Sequence, residues 1–200
     1  VFVGASAVGY YGTDAGSVPR TEADGPGEGF LAEVCDAWED AANVDGVRSV
    51  HIRTGLALSS AGGLLPVLKA SVNAGLTAQF GRGDFWMSWV ALDDLTDFYV
   101  RALLDETVSG PVNATAPEPV TNAEMSSTLA RLLHRPDVFS IPTFGPKLLL
   151  GEEGAHELAL ADQRVLPTVA AEHGWRLRYP SLDAALRHEL GREQLLVSQA

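Results

Sequence analysis

Two short apolar runs, VFVGASAV at residues 1–8 and RSVHIRTGLAL at 48–58, bracket a segment of helical period. Runs of this length ending in small residues predict buried strands. Between them, FLAEVCDAWEDAANV sets Phe30, Val34, Trp38 and Ala41 on one helical face, with Glu33, Asp36 and Asp40 outside it. The stretch TDAGSVPRTEADGPGEG ahead of that helix is rich in Gly, Pro and charge and predicts a loop. Parallel strands need a long crossover, usually a helix, so this order predicts an α/β fold built on a parallel sheet, with 1–12 and 47–58 as parallel strands of one sheet and helix 30–43 crossing between them. Within the second run Val50 and Ile52 fall on one face, His51 and Arg53 on the other.

Downstream, GGLLPVLKASVNAG predicts a helix with Pro66 near its start and Gly75 past its end. AQFGRGDFWMSWVAL predicts loop and short strand, and DDLTDFYVRALLDE a helix with Leu95, Phe98, Tyr99, Ala102 and Leu103 as its apolar stripe. Asp93 and Asp94 open that helix and are expected to cap it and favour its dipole. VTNAEMSSTLARLLH carries a capping box, Thr121 with Glu124, followed by Met125, Leu129, Leu132 and Leu133 at helical spacing. Residues 156–171 are helical in pattern, and SLDAALRHEL closes the chain as a helix that Ser181 can cap. The change to mostly helical segments predicts two units: 1–110, a Rossmann-like parallel sheet, and 111–200, a smaller helical subdomain.

Composition narrows the function. A formal net charge of −12 opposes binding to nucleic acid or an anionic membrane. Of the basic residues only Lys69 and Lys147 are lysines, and the arginines are scattered. The single cysteine, Cys35, excludes an internal disulfide and fits a small buried hydrophobe. His51, His134, His156, His173 and His188 show no ligand spacing, so no metal site is expected. No apolar run has the length of a membrane span, and a cytoplasmic protein with a small-molecule substrate is the expectation. Oligomeric state is not legible.

Six stretches, GASAVGYYG, FLAEVCDAWEDAA, RTGLALSSAGG, WMSWVALDDL, GPVNATAPEPVTNAE and RYPSLDAALRH, occur together and in this order. With them the chain resembles the SulA-type nucleoside-diphosphate-sugar epimerases of the atypical and extended short-chain dehydrogenase/reductase superfamily. The resemblance implies NAD(P)-dependent epimerase or oxidoreductase chemistry on a nucleotide-sugar-like or other hydroxyl/carbonyl substrate. A G-x-x-G-x-x-G turn is absent from the sequence, and GRGDFW, with Gly81 and Gly83, does not replace it. The resemblance therefore implies the C-terminal portion of a longer protein, with NAD or NADP held mainly by an N-terminal half and weakly or not at all by this chain.

The same resemblance places Ser6 at a strand end, against substrate; its alternative is close packing among Gly4, Ala5 and Ala7, and Ala7 is the other candidate for the serine position. A hydrolase elbow at Ser6 is disfavoured, since Val8 stands where its second Gly belongs. The acid/base pair Tyr-x-x-x-Lys falls on Leu31 and Cys35, which cannot perform that chemistry. Tyr10 and Tyr11 are the substitutes as catalytic donors, or else an aromatic pair over the sheet edge. Arg53, Thr54 and Gly55 are expected to border the cofactor, with a surface ion pair as the alternative for Arg53. Arg82 and Trp89 are expected on the opposite wall of a common cleft as substrate contacts, with Arg82 otherwise a solvated loop charge; Met87 takes the place of a phosphate-gripping arginine. A non-catalytic NAD(P)-binding protein lacking the Tyr/Lys pair is the alternative reading.

Overall fold

The computed structural model describes residues 1–13, 16, 18–80, 82–136 and 161–193. Strand β1 (Phe2–Ala7) runs into a 3-10 turn (Val8–Tyr11), then helix α1 (Phe30–Ala41) leads back to β2 (Ser49–Thr54). β1 and β2 are parallel, as the strand–helix–strand order requires, with Ser6 beside Arg53. β6 (Gly110–Ala114) adds in parallel on the far side of β2, with Arg53 beside Asn113, to give the order β1-β2-β6.

The second strand is shorter than the apolar run. It stops at Thr54 and resumes as β3 (Leu56–Leu58), which pairs in parallel with β5 (Trp89–Ala91) in another ladder. Gly55 is the switch point: its N–H still donates to Ala114 O (3.1 Å), while Leu56 N–H donates to Ser88 O (2.7 Å). The backbones pass so closely that a Cβ on Gly55 would lie 2.6 Å from Ser88 O. β4 (Trp86–Met87) pairs antiparallel with β7 (Val120–Thr121).

The two faces of β2 differ as its alternation predicts. Val50 and Ile52 join the apolar cluster containing Phe98 and Ala102 of α3 (Leu92–Leu104). Ser49, His51 and Arg53 meet α1 and its end: Ser49 Oγ donates to Ala42 O, His51 Nε2 lies 3.0 Å from Asn43 Oδ1, and Arg53 binds Glu39. This polar face inverts the expected docking of α1. The helix buries Ala32, Cys35 and Glu39, while Phe30 and Trp38 are 67% and 59% exposed.

Helix α2 (Leu64–Asn73) packs Leu65, Leu68 and Val72 against α4 (Asn122–Leu133) and the last helix, α6 (Leu182–Glu189). The Thr121–Glu124 capping box is complete in both directions, and Ser181 Oγ caps α6 through Ala184 N–H. Four expectations are corrected. In α3 Asp94 is buried and Leu103 is exposed. Asp94 does not cap that helix: its carboxylate accepts from the N–H groups of Arg178 and Tyr179 (2.6 and 3.0 Å), tying the C-terminal segment to the sheet side. Over 161–171 only α5 (Thr168–Glu172) is helical, because Arg20 and Val165 pair as a parallel bridge; 156–160 lie outside the described residues. Finally, the sheet continues past residue 110, since β6 completes it, and residues on both sides of 110 pack in one cluster with α2.

Candidate functional site at the strand ends

The carboxyl ends of β1 and β2 carry two different arrangements, one buried and one open. The buried one gathers Ser6, Tyr10, Tyr11 and Arg53 around Glu39. Arg53 Nε and Nη2 donate to the two Glu39 oxygens at 2.8 and 2.7 Å, and Ser6 Oγ donates to Glu39 Oε1 at 2.6 Å. Arg53 Nη1 donates to the Tyr11 hydroxyl, which in turn donates to Asn113 Oδ1, both at 2.8 Å. The guanidinium carbon lies 3.4 Å over the Tyr10 ring, a cation–π contact. Asn113 continues the chain of bonds, its Nδ2 donating to Leu166 O and its N–H to Glu22 Oε1.

Four of the eight sequence candidates therefore meet, but in the interior: Ser6, Tyr10, Tyr11 and Arg53 are each buried. A buried ion pair must have its remaining donors and acceptors satisfied, and these hydroxyls do so. Burial pushes the Tyr11 phenol up to about 12, against the pull of Arg53, so it stays protonated at neutral pH. Burial raises Tyr10 as well. For Arg53 desolvation works against the charge, but Glu39 and Tyr11 together outweigh it and the guanidinium is held charged. The expectation that Ser6, Tyr10, Tyr11 and Arg53 line an open cleft is thus corrected. Each polar atom at the centre of this network already has its partner.

The open arrangement is an adjacent cleft of about 210 Å³. It is lined by Ala7 to Gly9, Thr54 to Leu56, Phe85 to Ser88, Leu31 of α1, Leu64 of α2, Ala161 and Gln163. Thr54 and Gly55 of the sequence candidates line it; Arg82 and Trp89 do not. Arg82 stands in solvent, paired with Asp84. Trp89 alternates inward on β5, wholly buried, with its indole N–H donating to Glu118 O. The cleft tryptophan is Trp86, with the Arg164 guanidinium carbon 4.5 Å from its ring. Met87 lines the cleft as well. None of the described residues lining it is charged. No cluster of metal-ligating side chains occurs among the described residues, and no helix among them is long and apolar enough to cross a membrane.

Glu39, Asn113 and Gln163 are absent from the sequence candidates. Asn113 carries a signal, as an amide within the apolar strand GPVNATA. Glu39 is one acid among four on its helix, and Gln163 sits in a stretch of helical pattern, so neither stands out.

A family model described as a domain of unknown function (DUF1731) matches residues 141–189. Epimerase family protein MT2273 of Mycobacterium tuberculosis is 38% identical over 187 residues, covering 92% of this chain and 62% of the relative. The chain thus spans about three fifths of the length of the curated relatives it matches. Among solved structures, the nucleoside-diphosphate sugar epimerase of Corynebacterium glutamicum is 44% identical, with a TM-score of 0.77 over 98% of this chain and 38% of its own. The human epimerase family protein SDR39U1 (isoform 2), solved with NADPH, is 27% identical, with a TM-score of 0.88 over 96% of this chain and 65% of its own.

Proposed function

Because the chain belongs to the epimerase family of atypical short-chain dehydrogenase/reductases, as its C-terminal region, we propose that it contributes the reaction side of an NAD(P)-dependent epimerase or oxidoreductase. The carrying observation is the uncharged cleft at the carboxyl ends of β1 and β2, where open parallel sheets receive their ligands. A nicotinamide ring, flat and with an amide, suits walls made by Gly9, Gly55 and Trp86. The cofactor pyrophosphate does not suit them, since no arginine or lysine among the described residues lines the cleft. In this reading the pyrophosphate is held by the part of the longer relatives that this chain does not match.

When bound, the nicotinamide supplies or accepts a hydride. The chain's own residues orient the ring and exclude water. Gly55 brings the backbone against the ligand, Leu31 and Met87 wall it in, and the buried Arg53–Glu39 pair fixes the strand ends beneath. A nucleotide-sugar or other hydroxyl/carbonyl compound is the proposed substrate class, and the cytoplasm the proposed compartment.

A second reading is favoured by the acid/base positions. Leu31 lines the cleft and Cys35 is buried, its thiol pushed up by that burial, so no proton-transfer pair stands where relatives of this class place Tyr and Lys. A protein that binds NAD(P) without turning it over fits this arrangement. One assay separates the readings: NADPH fluorescence reports binding, and absorbance at 340 nm with a panel of nucleotide-sugar ketones reports turnover. Binding that Ala161→Trp at the cleft blocks supports the cleft reading, with turnover selecting the enzyme and its lack the binding protein. Binding that survives this substitution unchanged contradicts both.

A further inference from the structure

Gln163 is 9% exposed and lines the cleft, and its surroundings fix which way its amide points. Its backbone is held on both sides: the N–H donates to Trp86 O (3.1 Å) and the C=O accepts from Ser88 Oγ (2.8 Å). Its side-chain Nε2 donates to two backbone carbonyls, Gly12 O at 2.6 Å and Val8 O at 3.3 Å. The reverse orientation would set an oxygen against two oxygens, so the hydrogen-bond network itself assigns the amide. The carbonyl Oε1 is left facing away from those partners, and no described residue donates to it. The neighbouring Ser88 hydroxyl has its one donor engaged with Gln163 O and accepts from Val165 N–H.

We infer that Gln163 Oε1 is the specificity-determining acceptor of the cleft, and that it selects an uncharged, flat ligand group carrying an N–H or O–H donor. The inference rests on the reading of the cleft as a ligand site and adds the class of group that enters it. An acceptor without a protein donor loses its water when the cleft fills, so a ligand that supplies a donor gains over an isostere that does not. A carboxylate or phosphate gains nothing, because no lining side chain among the described residues is cationic and an anion would be desolvated without a partner.

Three ring probes of one shape separate these terms: benzamide carries the N–H donor, acetophenone replaces the amide nitrogen by methyl, and benzoate is anionic. Each is titrated into the 200-residue chain by NMR, following the indole N–H signal of Trp86, assigned with Trp86→Phe. The expected result is a dissociation constant about tenfold lower for benzamide than for acetophenone, with benzoate weaker than both. In Gln163→Leu the advantage of benzamide over acetophenone disappears while acetophenone still binds. Should that variant not fold, the wild-type series decides alone. Equal binding of benzamide and acetophenone by the wild-type chain overturns the role of Gln163 and leaves the cleft reading intact. Failure of every probe to move Trp86 removes both.

Discussion

At the scale of single residues, the Arg53–Glu39 pair dominates the interior beneath the cleft. It joins α1 to β2, and through Ser6, Tyr11 and Asn113 it reaches β1, the 3-10 turn and β6. Removing one partner strands a charge in a desolvated site, which costs about 3–5 kcal/mol. Glu39→Gln and Arg53→Met are each expected to lower unfolding free energy in urea by that order. The double variant Glu39→Leu/Arg53→Met should recover much of the loss, because neither charge is then left alone; a double variant as unstable as the sum of the singles counts against the pair. This part of the site was half legible. The strand-end positions of Ser6 and Arg53 follow from the β-alternation, and the tyrosines lie next to them in sequence. Their burial does not follow, because it depends on Glu39 arriving from a helix whose other acids face solvent.

At the scale of elements, what local chemistry sets could be read. The strand–helix–strand order, the capping box at α4, Ser181 ahead of α6 and the glycine beyond α2 all appear where their residues place them. What tertiary contact sets could not. The apolar stripe of α1 predicts a buried face, yet the sheet offers that helix serine, histidine and arginine, and the stripe turns outward. The 161–167 stretch has helical spacing but is drawn out by its bridge to Arg20. Gly55 belongs to this scale too, as the hinge between two ladders. Gly55→Ala would set a methyl 2.6 Å from Ser88 O and against Thr115, a clash with backbone that cannot yield cheaply. The expected loss is about 1–3 kcal/mol, read as a lower midpoint in thermal or urea unfolding. Stability unchanged by this substitution would mean that β3 and β5 are farther apart than described.

At the scale of the whole molecule, a parallel α/β sheet of the Rossmann type carries its open cleft at the strand ends, and no arginine or lysine lines that cleft among the described residues. The net charge of −12 adds a long-range repulsion toward an anionic dinucleotide. NADPH is therefore expected to bind this chain only weakly, with its ring end seated and its phosphates in solvent. Hydrogen–deuterium exchange of the 200-residue chain in millimolar NADPH tests this most directly. Slower exchange confined to residues 7–12, 54–57, 85–89 and 161–164 is the predicted result. Protection at the opposite end of the strands, around 43–49 and 109–110, with none at the cleft, would contradict it.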